Sequence, residues 1–174
     1  MDTSEAVKSL KNSLASAIVD ETNFHGQTTL EVRKGRLKDA LKFLKSSGFE
    51  VLMDLTGIDY LHPTKRTKII YLLHNPTNMQ RLIIALYAER GEAIPSVIDL
   101  WEGADWYQRE LFDMFGITFE GLPEIQRILM PDDWKGHPLR KDYALTEESV
   151  EFKHGVKPKI PSEIIPYVKN FSRS

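Results

Sequence analysis

Two apolar runs separated by a turn constrain the fold of this chain more than any other feature. Residues 68–73 and 81–87 are rich in β-branched and aromatic side chains, and Asn75, Pro76, Thr77 and Asn78 stand between them. Asn and Pro punctuate a strand rather than continue it. Two strands joined so closely pair as an antiparallel hairpin. In the second run Leu82, Ile84 and Leu86 share one face, while Ile83 and Ala85 occupy the other. Strands apolar on both faces call for cover on both. Helices are expected on one side. The other side is left to the C-terminal half of the chain or to another protein.

The residues before the hairpin extend this pattern. Val7, Leu10, Leu14 and Ile18 recur at helical spacing and predict an amphipathic helix over residues 4–20. Asp2 and Glu5 are spaced to form its capping box. Residues 21–27 read as a link. Leu30 and Val32 mark a strand over 28–33, and Leu37, Ala40, Leu41 and Leu44 a second helix that stops near Gly48. Phe49, Val51, Met53 and Leu55 alternate, which predicts another strand with those four on one face. The expected fold is therefore α+β, a mostly antiparallel four-stranded sheet flanked by helices. Residues 1–145 would form one domain and 146–174 an extended C-terminal arm, because Pro158, Pro161 and Pro166 interrupt any regular element there.

Composition narrows the function. The formal net charge of -2 argues against a general nucleic-acid binder. No apolar run approaches the ~20 residues that cross a bilayer. The first residues lack a signal-peptide pattern, so an internal location is expected. With no cysteine, the chain offers no disulfide, no thiol nucleophile and no thiolate for an iron–sulfur cluster.

Residues 106–143 concentrate aromatics, ionisable groups, Gly and Pro. A short helix capped by Ser96 is expected first, then a helix over 106–115 started by Asp105 and stopped by Gly116. Trp106, Glu110 and Asp113 fall at i, i+4 and i+7 on that helix, one face. Two carboxylates three residues apart fit either a general acid/base pair or a salt-bridged face. Arg109 precedes Asp113 by four residues, the less favourable order for an intrahelical pair, which leaves it for another segment. Tyr107, Leu111, Met114 and Phe115 read as core, and Trp106 and Phe112 as core or interface. Ile125, Ile128 and Leu129 form a short apolar piece that fits either element type. His137, held beside Pro138, has no spaced histidine or cysteine partner, so a hydrogen-bonding loop residue is preferred over a metal ligand. Arg140 can pair bidentately with Glu110, Asp113 or a neighbour's acid, and Lys141 and Asp142 follow it. Phosphate-binding glycine loops and the nucleophile elbow are absent from the sequence.

Three blocks within this region are specific. R-E-L-F-D-M-F-G at 109–116, P-E-I-Q-R-I-L-M-P at 123–131 and G-H-P-L-R-K-D-Y at 136–143 follow in a fixed order. Together they resemble the signature of the 30-kDa subunit family of respiratory complex I, the bacterial NADH–quinone oxidoreductase. Four positions depart from the usual pattern: Gln108 for a Glu, Leu122 for a His, Glu124 for an Asp and Gln126 for an Arg. The resemblance implies a non-catalytic, structural subunit of the hydrophilic arm with no cofactor of its own. FMN and iron–sulfur clusters would lie in partner subunits. It further implies that the 49-kDa-type subunit and cluster-bearing subunits are neighbours. The location implied is peripheral, at the cytoplasmic side of the inner membrane. The signature positions expected to matter at an interface or in the local structure are Trp106, Arg109, Glu110, Asp113, Phe115, Gly116, Pro123, Arg127, His137, Pro138, Arg140, Lys141 and Asp142. Two alternatives stand beside this: the equivalent subunit of a related membrane-bound hydrogenase or deazaflavin/ferredoxin-linked dehydrogenase, and a free-standing enzyme using Glu110 and Asp113.

Overall fold

A computed structural model describes residues 2–61, 66–122 and 126–143. Its elements run α1 (Thr3–Ser13), β1 (Ile18–Phe24), β2 (Gln27–Val32), α2 (Leu37–Ser46), β3 (Val51–Tyr60), β4 (Arg66–Asn75), β5 (Gln80–Glu89), β6 (Ala93–Pro95), α3 (Ala104–Phe115) and β7 (Thr118–Glu120). The main sheet has the order β1-β2-β5-β4-β3, and β6 and β7 form a separate parallel pair.

The α+β class holds, but the sheet differs from the expected four-stranded, mostly antiparallel one. It has five strands and is mixed, because β2 and β5 pair in parallel through Thr29–Ile83, Leu30–Ile84 and Glu31–Ala85. Chain path explains the parallel pair. After β2 the chain crosses by α2 to the far edge, and the β3–β4–β5 meander brings it back beside β2.

The strand of the main sheet that the sequence pattern does not mark is β1. The expected 4–20 helix ends at Ser13, and Ile18 opens β1 through residues whose pattern predicts helix and link. Six of its seven residues are exposed, so it carries no apolar alternation. Pairing with β2 across the two-residue turn at His25 and Gly26 defines it instead. The Asp2–Glu5 capping box of α1 is present. The four-residue helix stripe is also present, with Leu37, Ala40, Leu41 and Leu44 fully buried.

The β4–β5 hairpin forms as expected, in register from Arg66–Glu89 to Asn75–Gln80. One face of it, Ile69, Tyr71, Leu73, Leu82, Ile84 and Leu86, is fully buried. That face shares a single core with Leu10 of α1, Leu41 of α2 and Leu111 of α3. Each aliphatic side chain among them contributes roughly 1.5–3 kcal/mol by burial. The opposite face is only half covered, since Ile70, Leu72 and Ile83 stay partly exposed and Ile58 is 43% exposed. Cover on both faces is thus not found among the described residues.

A bulge explains a further difference. The β3–β4 register shifts between Leu52 and Asp54, so Leu52 and Leu55 turn inward while Val51 and Met53 turn outward. Simple alternation places Val51 and Met53 with Leu55, and the bulge overturns it. Gly57 on β3 then lets α3 approach, for a Cβ there would lie 3.0 Å from Leu111 and 3.3 Å from Phe115. The helix expected after Ser96 is only a turn, with Leu100 and Trp101 bonded back to Val97. Residues 93–95, read as a link, form β6. Gly103, rather than Asp105, occupies the N-cap of α3. The expected C-terminal arm lies outside the described residues.

Candidate functional site

The site is α3 and the segment 126–143 that folds back on it. Two ties hold the two together and a third fixes the segment to the sheet, and each uses charged side chains.

The first tie centres on Asp113, which is fully buried. Three consecutive backbone N–H groups, from Ile128, Leu129 and Met130, donate to its Oδ2 at 3.1, 2.8 and 2.8 Å. Successive amides converging on one anion make a nest. Arg127 donates to Oδ1 at 2.5 Å, and its guanidinium also reaches the carbonyls of Trp134 and Gly136. Burial pushes the Asp113 carboxyl up, but the bonds from Met130, Leu129, Arg127 and Ile128 outweigh it and hold the group below the ordinary range. Asp113 is therefore an ionised acceptor with four donors on it.

The second tie closes the end of α3. The last carbonyls of a helix have no partner within it, and a cation there is favoured. Arg140 donates to the carbonyl of Phe115 at 2.6 Å and to that of Gly116 at 3.3 Å, while the Leu139 N–H takes the carbonyl of Met114. His137 Nδ1 donates to the Asp113 carbonyl at 3.0 Å, its ring edge-on to Phe112. Burial, and then the charges of Arg140 and Arg127, push the imidazole below its usual range, so its neutral form is favoured. Gly116 has φ +69, and a Cβ there would run into the Arg140 guanidinium and lie 2.5 Å from the His137 ring. Only glycine meets both demands.

The third tie reaches the sheet, and the sequence pattern does not single it out. Asp59 near the end of β3 is buried and accepts from Thr67 (3.1 Å), Arg90 (2.7 Å) and the Lys141 N–H (2.8 Å). Burial raises its carboxyl, and the bonds from Lys141, Arg90 and Thr67 lower it further than burial lifts it. Arg90 also reaches Asp142 at 3.3 Å. A signal exists in the sequence. Asp59 continues the inward set of Leu55 and Gly57, a register where an unpartnered acid would be costly.

The signature residues thus divide. Trp106, Glu110 and Asp113 do not act as one face: Trp106 is 59% exposed and Glu110 is exposed, while Asp113 is covered. Arg140 meets backbone carbonyls rather than Glu110 or Asp113, and Asp113 takes Arg127. Arg109 donates to the carbonyls of Gln126 and Arg127, its guanidinium 5.1 Å from the Trp106 ring centre. Phe115 packs in the core. Gln108 is buried and accepts from the Ser96 hydroxyl at 2.8 Å, a place where a neutral side chain is less costly than a carboxylate. Pro138 is half-buried beside His137. Pro123 lies outside the described residues, as does Ile125, and residues 128–130 form a bend rather than a helix or strand. No group of three or more metal-ligating side chains occurs among the described residues.

The five-stranded mixed sheet with α3 and the pinned segment makes this an α+β domain, and its fold is found in solved structures. A trypsin-resistant fragment of Nqo5 (1–134) superposes with a TM-score of 0.60 at 29% identity, covering 68% of this chain and 97% of the fragment. A chain of a membrane-bound sulfane sulfur reductase, an archaeal respiratory membrane complex, shares the fold with a TM-score of 0.72 at 23% identity, over 82% of this chain and 85% of its own. The chain belongs to the respiratory-chain NADH dehydrogenase 30-kDa subunit family, whose pattern it matches over residues 30–149. Its relatives include proteins named as a subunit of NADH-quinone oxidoreductase. That of Roseiflexus sp. (strain RS-1) is 40% identical over 156 residues, 87% of this chain and 90% of the relative. That of Citrifermentans bemidjiense is 41% identical over 146 residues, 83% and 91% respectively.

Proposed function

We propose that this chain is a structural subunit of the hydrophilic arm of a proton-translocating NADH–quinone oxidoreductase. In it, electrons pass from NADH through FMN and iron–sulfur clusters on other subunits to a quinone. The observation that carries the structural role is the Asp113 nest. The signature's most buried charge is spent on fixing residues 127–130 against α3, which presents that segment as a rigid surface. Relatives that bear the name of an NADH-quinone oxidoreductase subunit, matched over nearly their full length, support the parent complex. The half-covered sheet face fits a chain that completes its burial against neighbours. The 49-kDa-type and cluster-bearing subunits are the neighbours we expect, at the cytoplasmic side of the membrane. Residues 1–145 act as the folded domain and 146–174 as an arm laid over a neighbour. No helix among the described residues is long and apolar enough to cross a membrane, so attachment through partners is the route we favour.

The test is isolation of the tagged chain from detergent-solubilised membranes. Co-purification of flavin- and cluster-bearing chains with NADH–quinone activity is expected. A hydrogenase or deazaflavin-linked activity in its place would move the chain to a related complex. A chain that purifies alone and turns over a substrate, with loss of turnover in Glu110→Gln, would overturn the structural role.

A further inference from the structure

A groove of about 530 Å³ opens between the start of β3 and the N-terminal end of α3. Its floor is apolar, from Val51, Leu52 and Ala104, and its walls are the rings of Trp101, Trp106 and Tyr107. Val51 is 41% and Trp106 59% exposed, a large apolar area left in water. Two of the three rings are held by hydrogen bonds. Trp101 Nε1 donates to the Glu50 carbonyl at 2.6 Å, and the Tyr107 hydroxyl donates to the Met53 carbonyl at 3.0 Å. The same two bonds occupy carbonyls at the start of β3, an edge strand of the sheet. With these acceptors already used, the groove itself offers an occupant side-chain contacts.

The ionisable side chains that line the groove are all acidic. Glu50 and Glu102, both exposed, are its two ionisable carboxyl-bearing lining residues, and no Lys or Arg lines it. Neither pairs with a cation among the described residues. Two cations lie behind the indoles, and their N–H donors are turned to backbone carbonyls rather than to the glutamates. Lys45 lies 5.4 Å from the Trp101 ring centre and donates to the Leu100 carbonyl, and Arg109 is held by two carbonyls beside Trp106. Glu110, exposed one turn further along α3 from Trp106, adds a third carboxylate on that side.

We propose that this groove docks a partner-subunit segment in which a Lys or Arg adjoins a bulky apolar residue. The proposal rests on the subunit role above and names its docking chemistry. The apolar residue fills the space between the indoles. The basic side chain lays its methylene stem along a ring and its head group on Glu50 or Glu102. Trp and Tyr around a fixed pocket, with charge at the rim, are the features that concentrate binding energy at interfaces.

The test uses the full chain in the assembled complex. A photoreactive phenylalanine analogue replaces Trp106, and the cross-linked partner peptide is sequenced. A peptide with Lys or Arg within two residues of a large apolar side chain is expected. Separately, Glu50→Lys with Glu102→Lys is expressed in competition with the unsubstituted chain. Its incorporation into the complex should fall about tenfold and recover when the cross-linked partner base is changed to Glu. Both glutamates are exposed, and unchanged circular dichroism of the variant rules out unfolding. Trp106→Ala should reduce incorporation without charge change. If the double reversal is incorporated normally, or position 106 cross-links only acidic peptides or nothing, the groove proposal is overturned while the subunit role stands. If the unsubstituted chain co-purifies with no partner, both fall.

Discussion

Replacing Asp113 by Asn preserves the side chain's shape and removes one charge and one acceptor. In the native site Oδ2 serves three backbone N–H groups and Oδ1 serves Arg127. An amide has one oxygen. If it stays on the nest, its NH2 group faces the Arg127 guanidinium, donor against donor. Breaking a buried ion pair from one side costs about 3–5 kcal/mol. Arg127 keeps the carbonyls of Trp134 and Gly136, so the lower end applies, about 3 kcal/mol. For a chain of this length each kcal/mol lowers Tm by roughly 2–4 °C, so a drop of about 6–12 °C is expected. In urea, with a slope of about 2 kcal/mol/M, the midpoint should fall by about 1.5 M. Limited proteolysis should show earlier cleavage within 126–143, where the three amides lose their anion. A midpoint within about 0.3 M of the parent, with unchanged proteolysis, would refute the nest as a structural anchor. An acid/base role predicts the opposite pattern, because removing a strained catalytic charge tends to leave stability equal or higher.

Other consequences follow from the same contacts. Gly116→Ala should destabilise by about 2 kcal/mol, from the left-handed backbone and the displaced Arg140, measured by urea unfolding. Asp59→Asn should cost about 3 kcal/mol by the one-sided break with Arg90, with hydrogen exchange of the Lys141 amide rising sharply. Stability should also fall in acid in two stages. His137 has a lowered folded pKa, so its contribution is complete above the unfolded value of about 6.5 and declines as pH falls from there through the folded value. Asp113 and Asp59 have lowered folded values too, so their contribution is complete above the unfolded value of about 3.9 and is lost as pH falls through the folded ones. Thermal unfolding across roughly pH 3 to 8 checks this, and His137→Gln should remove the upper stage alone.

Much of this protein was determined by local sequence. Hydrophobic period marks α2, β2, β4 and β5, because each buries a regular stripe against the common core. The capping box starts α1, and Gly116 ends α3 with a left-handed residue. The signature blocks identify the family because their order and spacing are linear properties. The tertiary structure decided the rest. β1 is almost wholly exposed, without an alternating apolar face, and its pairing with β2 makes it a strand. The inward face of β3 depends on a bulge, which shifts the period in a way the residue types do not encode. Asp113 and Glu110 sit three residues apart yet differ wholly in burial, because the 128–130 amides return to cover one and leave the other in water. Asp59 and Arg90 are 31 residues apart and meet only because β3, β4 and β5 stack in register. Residue types state which charges exist, but only the folded path decides which amides and guanidinium groups reach them, and hence which carboxylates are structural anchors and which remain free to meet a partner.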